Sequence, residues 1–136
     1  MNASIISERR VLIEAVRRIA ALEYALIEAC HTECTDPWQQ AQRIARAGAA
    51  QVHLFDLGTA LRELGDDSLS YSRCVRHALL QGGKQNDLIV RLQREYVRLL
   101  DRKTMPDGLR VLLRANALEH RQLDAPERSA AVSAAA

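Results

Sequence analysis

Aromatic side chains are scarce in this chain: one Trp, one Phe and three Tyr make 4% of it. An interior built from it has to be aliphatic, of Leu, Ile, Val and Ala. Lysine is almost missing as well. Of 19 basic residues only Lys84 and Lys103 are lysines, which together with the alanine content reads as the codon bias of a GC-rich genome and not as a demand for arginine. Neither sign of charge is in excess. A net charge of +2 is too small to favour nucleic acid or an anionic membrane surface as partner. No apolar run exceeds four residues, so no transmembrane helix is expected. The opening MNASIISERR places its charges after its short apolar stretch, the reverse of an export signal. The three cysteines are then expected as free thiols in a reducing cytoplasm. A phosphate-cradling glycine loop, a serine-nucleophile elbow and a paired-cysteine redox motif are all missing.

What remains is a pattern of long amphipathic segments. The 136 residues, 48% apolar and 26% charged, suit one folded domain with a single core. The longest segment runs from Asp36 to Gly65. Asp36 suits an N-cap, Pro37 the first helical position and Gly65 the C-terminus. At ~1.5 Å per residue this helix is roughly 40 Å long, and the other segments are expected to pack along it. Its first half has an apolar seam of Trp38, Ala41, Ala45, Gly48, Val52 and Phe55. Its second half turns Leu54, Leu57, Leu61 and Leu64 to nearly the opposite face, which predicts either a kink near Gly58 or a second surface for self-association.

The segment before it, Ser7 to about His31, places Leu12, Val16, Ile19, Ala20, Leu26, Ile27 and Cys30 on one face. Glu23 falls in the middle of that stripe. A carboxylate there must be neutralised, paired, metal-bound or let out to water. Beyond Gly65, a short helix over Ser70–Gln81 turns Tyr71, Cys74, Val75, Ala78 and Leu79 inward, and Gly82-Gly83 breaks it from the next. Asn86–Lys103 has Ile89, Leu92, Tyr96, Leu99 and Leu100 inward and Arg91, Arg94 and Arg98 outward. Thr104 is placed to cap a last helix, helped by Pro106 and Asp107, whose seam reads Leu109, Leu112, Leu113, Asn116, His120, Leu123. The expectation is an all-α fold: an antiparallel four-helix bundle of residues 1–124 with one broken helix, followed by a flexible Ala-rich tail of 125–136.

Leu22-Glu23-Tyr24, the LRELG closing the long helix and the Gly82-Gly83 break give the chain a layout, over about residues 8 to 124, that resembles the ferritin-like superfamily and its small bacterial four-helix members. That resemblance implies an up-down bundle and a di-metal centre of iron or manganese. The ferritin-like centre draws a Glu from each of two helices and a Glu-x-x-His from each of the other two. Glu23 and Glu95 take the two single positions, and the adjacent Glu119 and His120 are what the last helix offers. The second helix offers only His53. The one Glu-x-x-His in the chain, Glu28 to His31, lies at a helix end.

Other residue patterns point elsewhere. Cys30, His31 and Cys34 lie within one turn, and with Cys74 they make four candidate zinc ligands, although the spacing is not that of a paired knuckle. RANALEH, Arg114 to His120, resembles the Arg-x(4 to 6)-His signature of HEPN-type ribonucleases, which implies acid-base RNA cleavage by Arg114 and His120 across a dimer. RHALLQGG around His77 resembles the phosphoacceptor stretch of histidine phosphotransfer bundles, without its lysine. The reading that follows from the residues is a self-associating, non-enzymatic interaction module, with Leu54, Leu57, Leu61 and Leu64 as its interface. The rivals are a metal-binding bundle using Glu23, Glu95, Glu119 and His120, and a ribonuclease.

Overall fold

The structure, a computed structural model, describes the backbone of residues 2–32, 35–66 and 71–135, with side chains over 8–32, 35–66 and 72–123. Among the described residues every regular element is a helix: α1 (Asn2–Cys30), α2 (Pro37–Glu63), α3 (Tyr71–Gln81), α4 (Gln85–Leu100) and α5 (Asp107–Ala135). Among the described residues no helix is long and apolar enough to cross a membrane.

The ends of α2 follow from its sequence. The Asp36 carboxylate accepts the Trp38 N–H at 3.0 Å, and Pro37 starts the helix without a hydrogen to satisfy. At the other end Gly65 takes φ +86°, a conformation costly for any residue with a Cβ. The Gly65 N–H then donates to Arg62 O and the Asp66 N–H to Leu61 O, each at 2.9 Å. These two bonds satisfy carbonyls that the helix end would otherwise leave open. Asp66 goes on to pair with Arg17 of α1 at 2.7 Å. Gly82-Gly83 forms the break between α3 and α4, where the Arg91 guanidinium donates to Gln81 O at 2.8 Å. Arg110 does the same for the next turn, donating to Leu100 O at 2.7 Å and Arg102 O at 2.6 Å. Thr104 is not the cap of α5: its hydroxyl bonds Glu8 instead, and the helix starts after Pro106. The backbone of α5 runs on to Ala135, within the stretch 125–136 whose composition suggested a tail.

The organising helix is α1, not α2. Every residue from Ile19 to Ile27 is buried, because α2, α3 and α4 all pack against α1, while α5 packs against α2 and α4. The inward faces of α1, α4 and α5 agree with their periodicity: Leu12, Val16, Ile19 and Leu26, then Leu92, Tyr96 and Leu99, then Leu109 and Leu113 are all buried. On α3, Cys74 and Ala78 are buried but Leu79 is exposed.

The second helix departs from its sequence reading. Its buried residues are Arg46, Ala49, Ala50, His53, Leu57, Ala60 and Leu61, one continuous stripe at helical spacing. A helix unbroken from Pro37 to Glu63 presents one face to its neighbours along its whole length, and that face is the one that carries Leu57 and Leu61. The seam through Trp38, Val52 and Phe55 therefore lies outside, with Phe55 71% exposed. Leu57 and Leu61, expected at a subunit interface, are fully buried within the chain, and Leu54 and Leu64 pack against the same core. Leu57 and Leu61 are thus core residues, while Leu54 and Leu64 are half-buried at the edge of the core. Gly48 needs no close helix approach, since a Cβ there would meet nothing within 4 Å.

Stability should follow this rotation of α2. Leu57→Ala is expected to cost about 3 kcal/mol, the usual range for truncating a fully buried leucine. Phe55→Ala should stay within about 0.5 kcal/mol, and Gly48→Ala should stabilise by roughly 1 kcal/mol. Urea denaturation of the three variants checks the order, and a larger loss at Phe55 than at Leu57 would overturn the rotation.

Candidate metal centre

Four helices each bring one polar side chain to the same point in the core. Glu23 comes from α1, His53 from α2, Tyr96 from α4 and His120 from α5, each at most 2% exposed. Periodicity puts them there. Glu23 lies between Ile19 and Ile27 on the most buried part of α1, and His53 is one turn before Leu57. Tyr96 is one turn after Leu92, and His120 is one turn after Asn116.

The cluster converges on a single oxygen. Glu23 Oε1 accepts the Tyr96 hydroxyl at 2.6 Å, His120 Nε2–H at 2.8 Å and His53 Nδ1–H at 3.1 Å. The other nitrogen of His53, Nε2, donates to Glu119 Oε2 at 2.9 Å. Both His53 nitrogens therefore face carboxylates. The two imidazole rings stand edge to face, their centroids 5.0 Å apart at 71°. Glu23 Oε2 and Asn116 Nδ2 are buried with no hydrogen-bond partner. Such an orphaned polar atom costs about 1–3 kcal/mol, so the arrangement is not the most stable filling of this space.

Electrostatics hold the cluster in an ionised state. Burial pushes the Glu23 carboxyl up, but the hydrogen bonds and charges of His120 and His53 together outweigh it and leave the pKa below its usual 4.5. Burial pushes the His53 imidazole down, and the bonds to Glu23 and then Glu119 outweigh that and raise it above 6.5. Burial, then the Glu23 charge, drives the Tyr96 phenol well above 10. Tyr96 thus remains a donor and Glu23 an acceptor across the neutral range.

Glu23, His53 and His120 each offer a ligand atom, and the three atoms lie within 4.8 Å of one another. The sequence-derived set is only partly assembled by this geometry. Glu23 and His120 meet directly, and Glu119 joins through His53. Glu95 does not: it pairs with Arg18 at 3.4 Å and Arg98 at 3.2 Å on the outside of α4, while its neighbour Tyr96 points in. The residues that sequence reasoning passed over are His53 and Tyr96. Stepping back four residues from Leu57 would have found the former.

The other candidates are dispersed. Burial pushes the Cys30 thiol up to about 11 and the Cys74 thiol up as well, which opposes zinc thiolate formation. His31 is exposed, and Cys34 lies outside the described residues. Arg114 is exposed while His120 is buried on Glu23. Six residues at ~100° each leave the two about 120° apart around α5, so the chain does not bring them together. His77 is exposed on α3 and Glu28 on α1.

The charge state sets an expected pH profile for the metal-free protein. Stabilisation from His53 is complete below its unfolded value of 6.5 and is lost as pH rises through its higher folded value. Stabilisation from Glu23 is present above 4.5 and is lost as pH falls through its lower folded value. Unfolding free energies measured in the presence of a chelator should fall on the alkaline side of about pH 6.5. His53→Gln should cost about 3 kcal/mol at pH 6 and flatten the alkaline limb. An unchanged limb in the variant would show that another group titrates. No family model, curated protein or solved structure matches this chain, so its function has to be read from the cluster itself.

Proposed function

We propose that the chain is a ferritin-like helical bundle that binds one divalent transition-metal ion at Glu23, His53 and His120. The carrying observation is the buried set of one carboxylate and two imidazoles whose ligand atoms lie within 4.8 Å of one another. Two imidazoles and one carboxylate suit Fe²⁺, Mn²⁺ or Zn²⁺ with further positions open to water or substrate. The ion takes the place of the two imidazole protons that face Glu23.

The surroundings support this reading. The His53 Nε2–H bond to Glu119 is the carboxylate–histidine arrangement that orients a metal ligand and raises its basicity. The carboxylates of Glu23 and Glu119 balance a dication, which answers the cost of burying the Glu23 charge. Glu23 Oε2, orphaned in the metal-free cluster, gains a use as a ligand atom.

The helix arrangement fits the bundle. Packing of α1 on α2 and α4, and of α5 on the same two helices, is that of four helices in a ring. Its long connection, from α2 to α4 through α3, corresponds to the single crossover of ferritin-like folds. Against their di-metal pattern, the residues three before each histidine are Ala50 and Ala117, both buried, and Tyr96 stands on α4 where a second lone Glu is expected. A pair of ions would lack its bridging carboxylates. One ion does not need them.

Titration of chelator-treated protein with Fe²⁺, Mn²⁺ and Zn²⁺ tests the site. One ion should bind per chain, with proton release and tighter binding at higher pH. Glu23→Gln, His53→Gln and His120→Gln should each lose at least about a hundredfold in affinity, and Glu119→Gln about tenfold to a hundredfold. Glu95→Gln should leave binding unchanged. Binding unaffected by any of the first three substitutions would end the proposal.

A further inference from the structure

His120 belongs to two places at once. Its Nε2 is committed to Glu23, and the same residue borders a groove between α4 and α5 of about 580 Å³, a volume usual for small-molecule sites. The groove touches a member of the buried cluster, His120.

Its chemistry is amphipathic. Val90 and Val97 supply an apolar wall, one helical turn on each side of Arg94 and Gln93. Arg94 and Arg121 supply positive charge, and among the described residues no carboxylate lines the groove. Among the described residues neither of these arginines has an ion pair or hydrogen bond. Gln93 adds an observation independent of surface charge. Its Nε2 donates to Ala117 O at 3.2 Å, which fixes the amide, and its Oε1 is buried with no hydrogen-bond partner. An acceptor held in that state, on a residue that lines the groove, would gain a partner from a ligand hydroxyl or amine.

We infer that the α4–α5 groove binds a small organic acid. Its carboxylate meets Arg94 and Arg121, its hydrocarbon body lies on Val90 and Val97, and a hydroxyl or amine, where present, reaches Gln93 Oε1. Guanidinium–carboxylate pairs bind through parallel charge-assisted hydrogen bonds, and an apolar wall beside them favours an acid with a hydrocarbon body over a short inorganic anion. The inference deepens the metal-centre reading, since the acid would lie against the groove-side face of a metal ligand. Its physical basis, the groove and its arginines, is separate from the metal.

Calorimetric titration of the metal-free protein with hexanoate, hexanol and hexyl phosphate at fixed ionic strength tests it. Hexanoate should bind saturably, and hexanol should bind at least about tenfold more weakly, the loss of roughly one charge-assisted contact. Arg94→Gln and Arg121→Gln, both surface changes, should each weaken hexanoate by about tenfold, while Arg114→Gln, also exposed on α5 but outside the groove, should not. With 2-hydroxyhexanoate as probe, Gln93→Leu should remove whatever advantage the hydroxyl confers. In protein loaded with Co²⁺, hexanoate should alter the visible absorption spectrum. Saturable, arginine-dependent binding in a protein that takes up no metal would uphold the groove and end the metal reading. Metal uptake without hexanoate binding below about 10 mM, weaker than ~3 kcal/mol, overturns the groove and leaves the metal reading standing. Hexyl phosphate binding more than tenfold tighter than hexanoate overturns the assignment to carboxylic acids.

Discussion

The interior of this protein is arranged around one carboxylate oxygen. Glu23 Oε1 accepts hydrogens from three other helices, so the position of α2, α4 and α5 relative to α1 is fixed by directional bonds as well as by packing. Hydrophobic burial alone sets no such alignment, because aliphatic faces slide past one another at little cost compared with breaking a buried, charge-assisted hydrogen bond. The rotation of α2 follows from it. His53 can reach Glu23 only with the stripe Ala50-His53-Leu57-Leu61 turned inward, and Trp38, Val52 and Phe55 are left outside.

A buried ionised cluster is rarely the cheapest way to fill a core. Well-packed apolar residues of the same volume are commonly as stabilising or more so, and here two polar atoms are orphaned as well. The chain carries these costs in the most enclosed part of the molecule, where every residue of α1 from Ile19 to Ile27 is buried. Placing Tyr96 as a neutral donor and Glu119 as an outer acceptor for His53 gives each of the charged members a defined partner. Under the metal-binding proposal, the same partners would orient the ligands in advance.

The groove beside His120 gives this buried centre a neighbour in contact with solvent. His120 belongs both to the buried cluster, through its Nε2 on Glu23, and to the lining of the groove. The apolar wall from Val90 to Val97 also accounts for exposed valines on α4 that the core does not use.

Much of the fold was legible in the residues. The caps of α2, the Gly-Gly break, the inward faces of α1, α4 and α5, and the anomaly of Glu23 inside an apolar stripe all rest on local rules of backbone geometry and 3.6-residue periodicity, which operate within a few turns of one helix. Glu23 meeting His120 was visible as a need, because a carboxylate in that stripe requires a partner. What local rules could not decide is which of two competing stripes α2 buries, since Trp38, Val52 and Phe55 are as apolar as Leu57 and Leu61. For the same reason they could not show that Tyr96, rather than the adjacent Glu95, faces the carboxylate, or that His53 completes the set. Those outcomes depend on how four helices rotate about their axes when packed together. That rotation is a property of the assembled core, where one buried charge has to be answered from several helices at once.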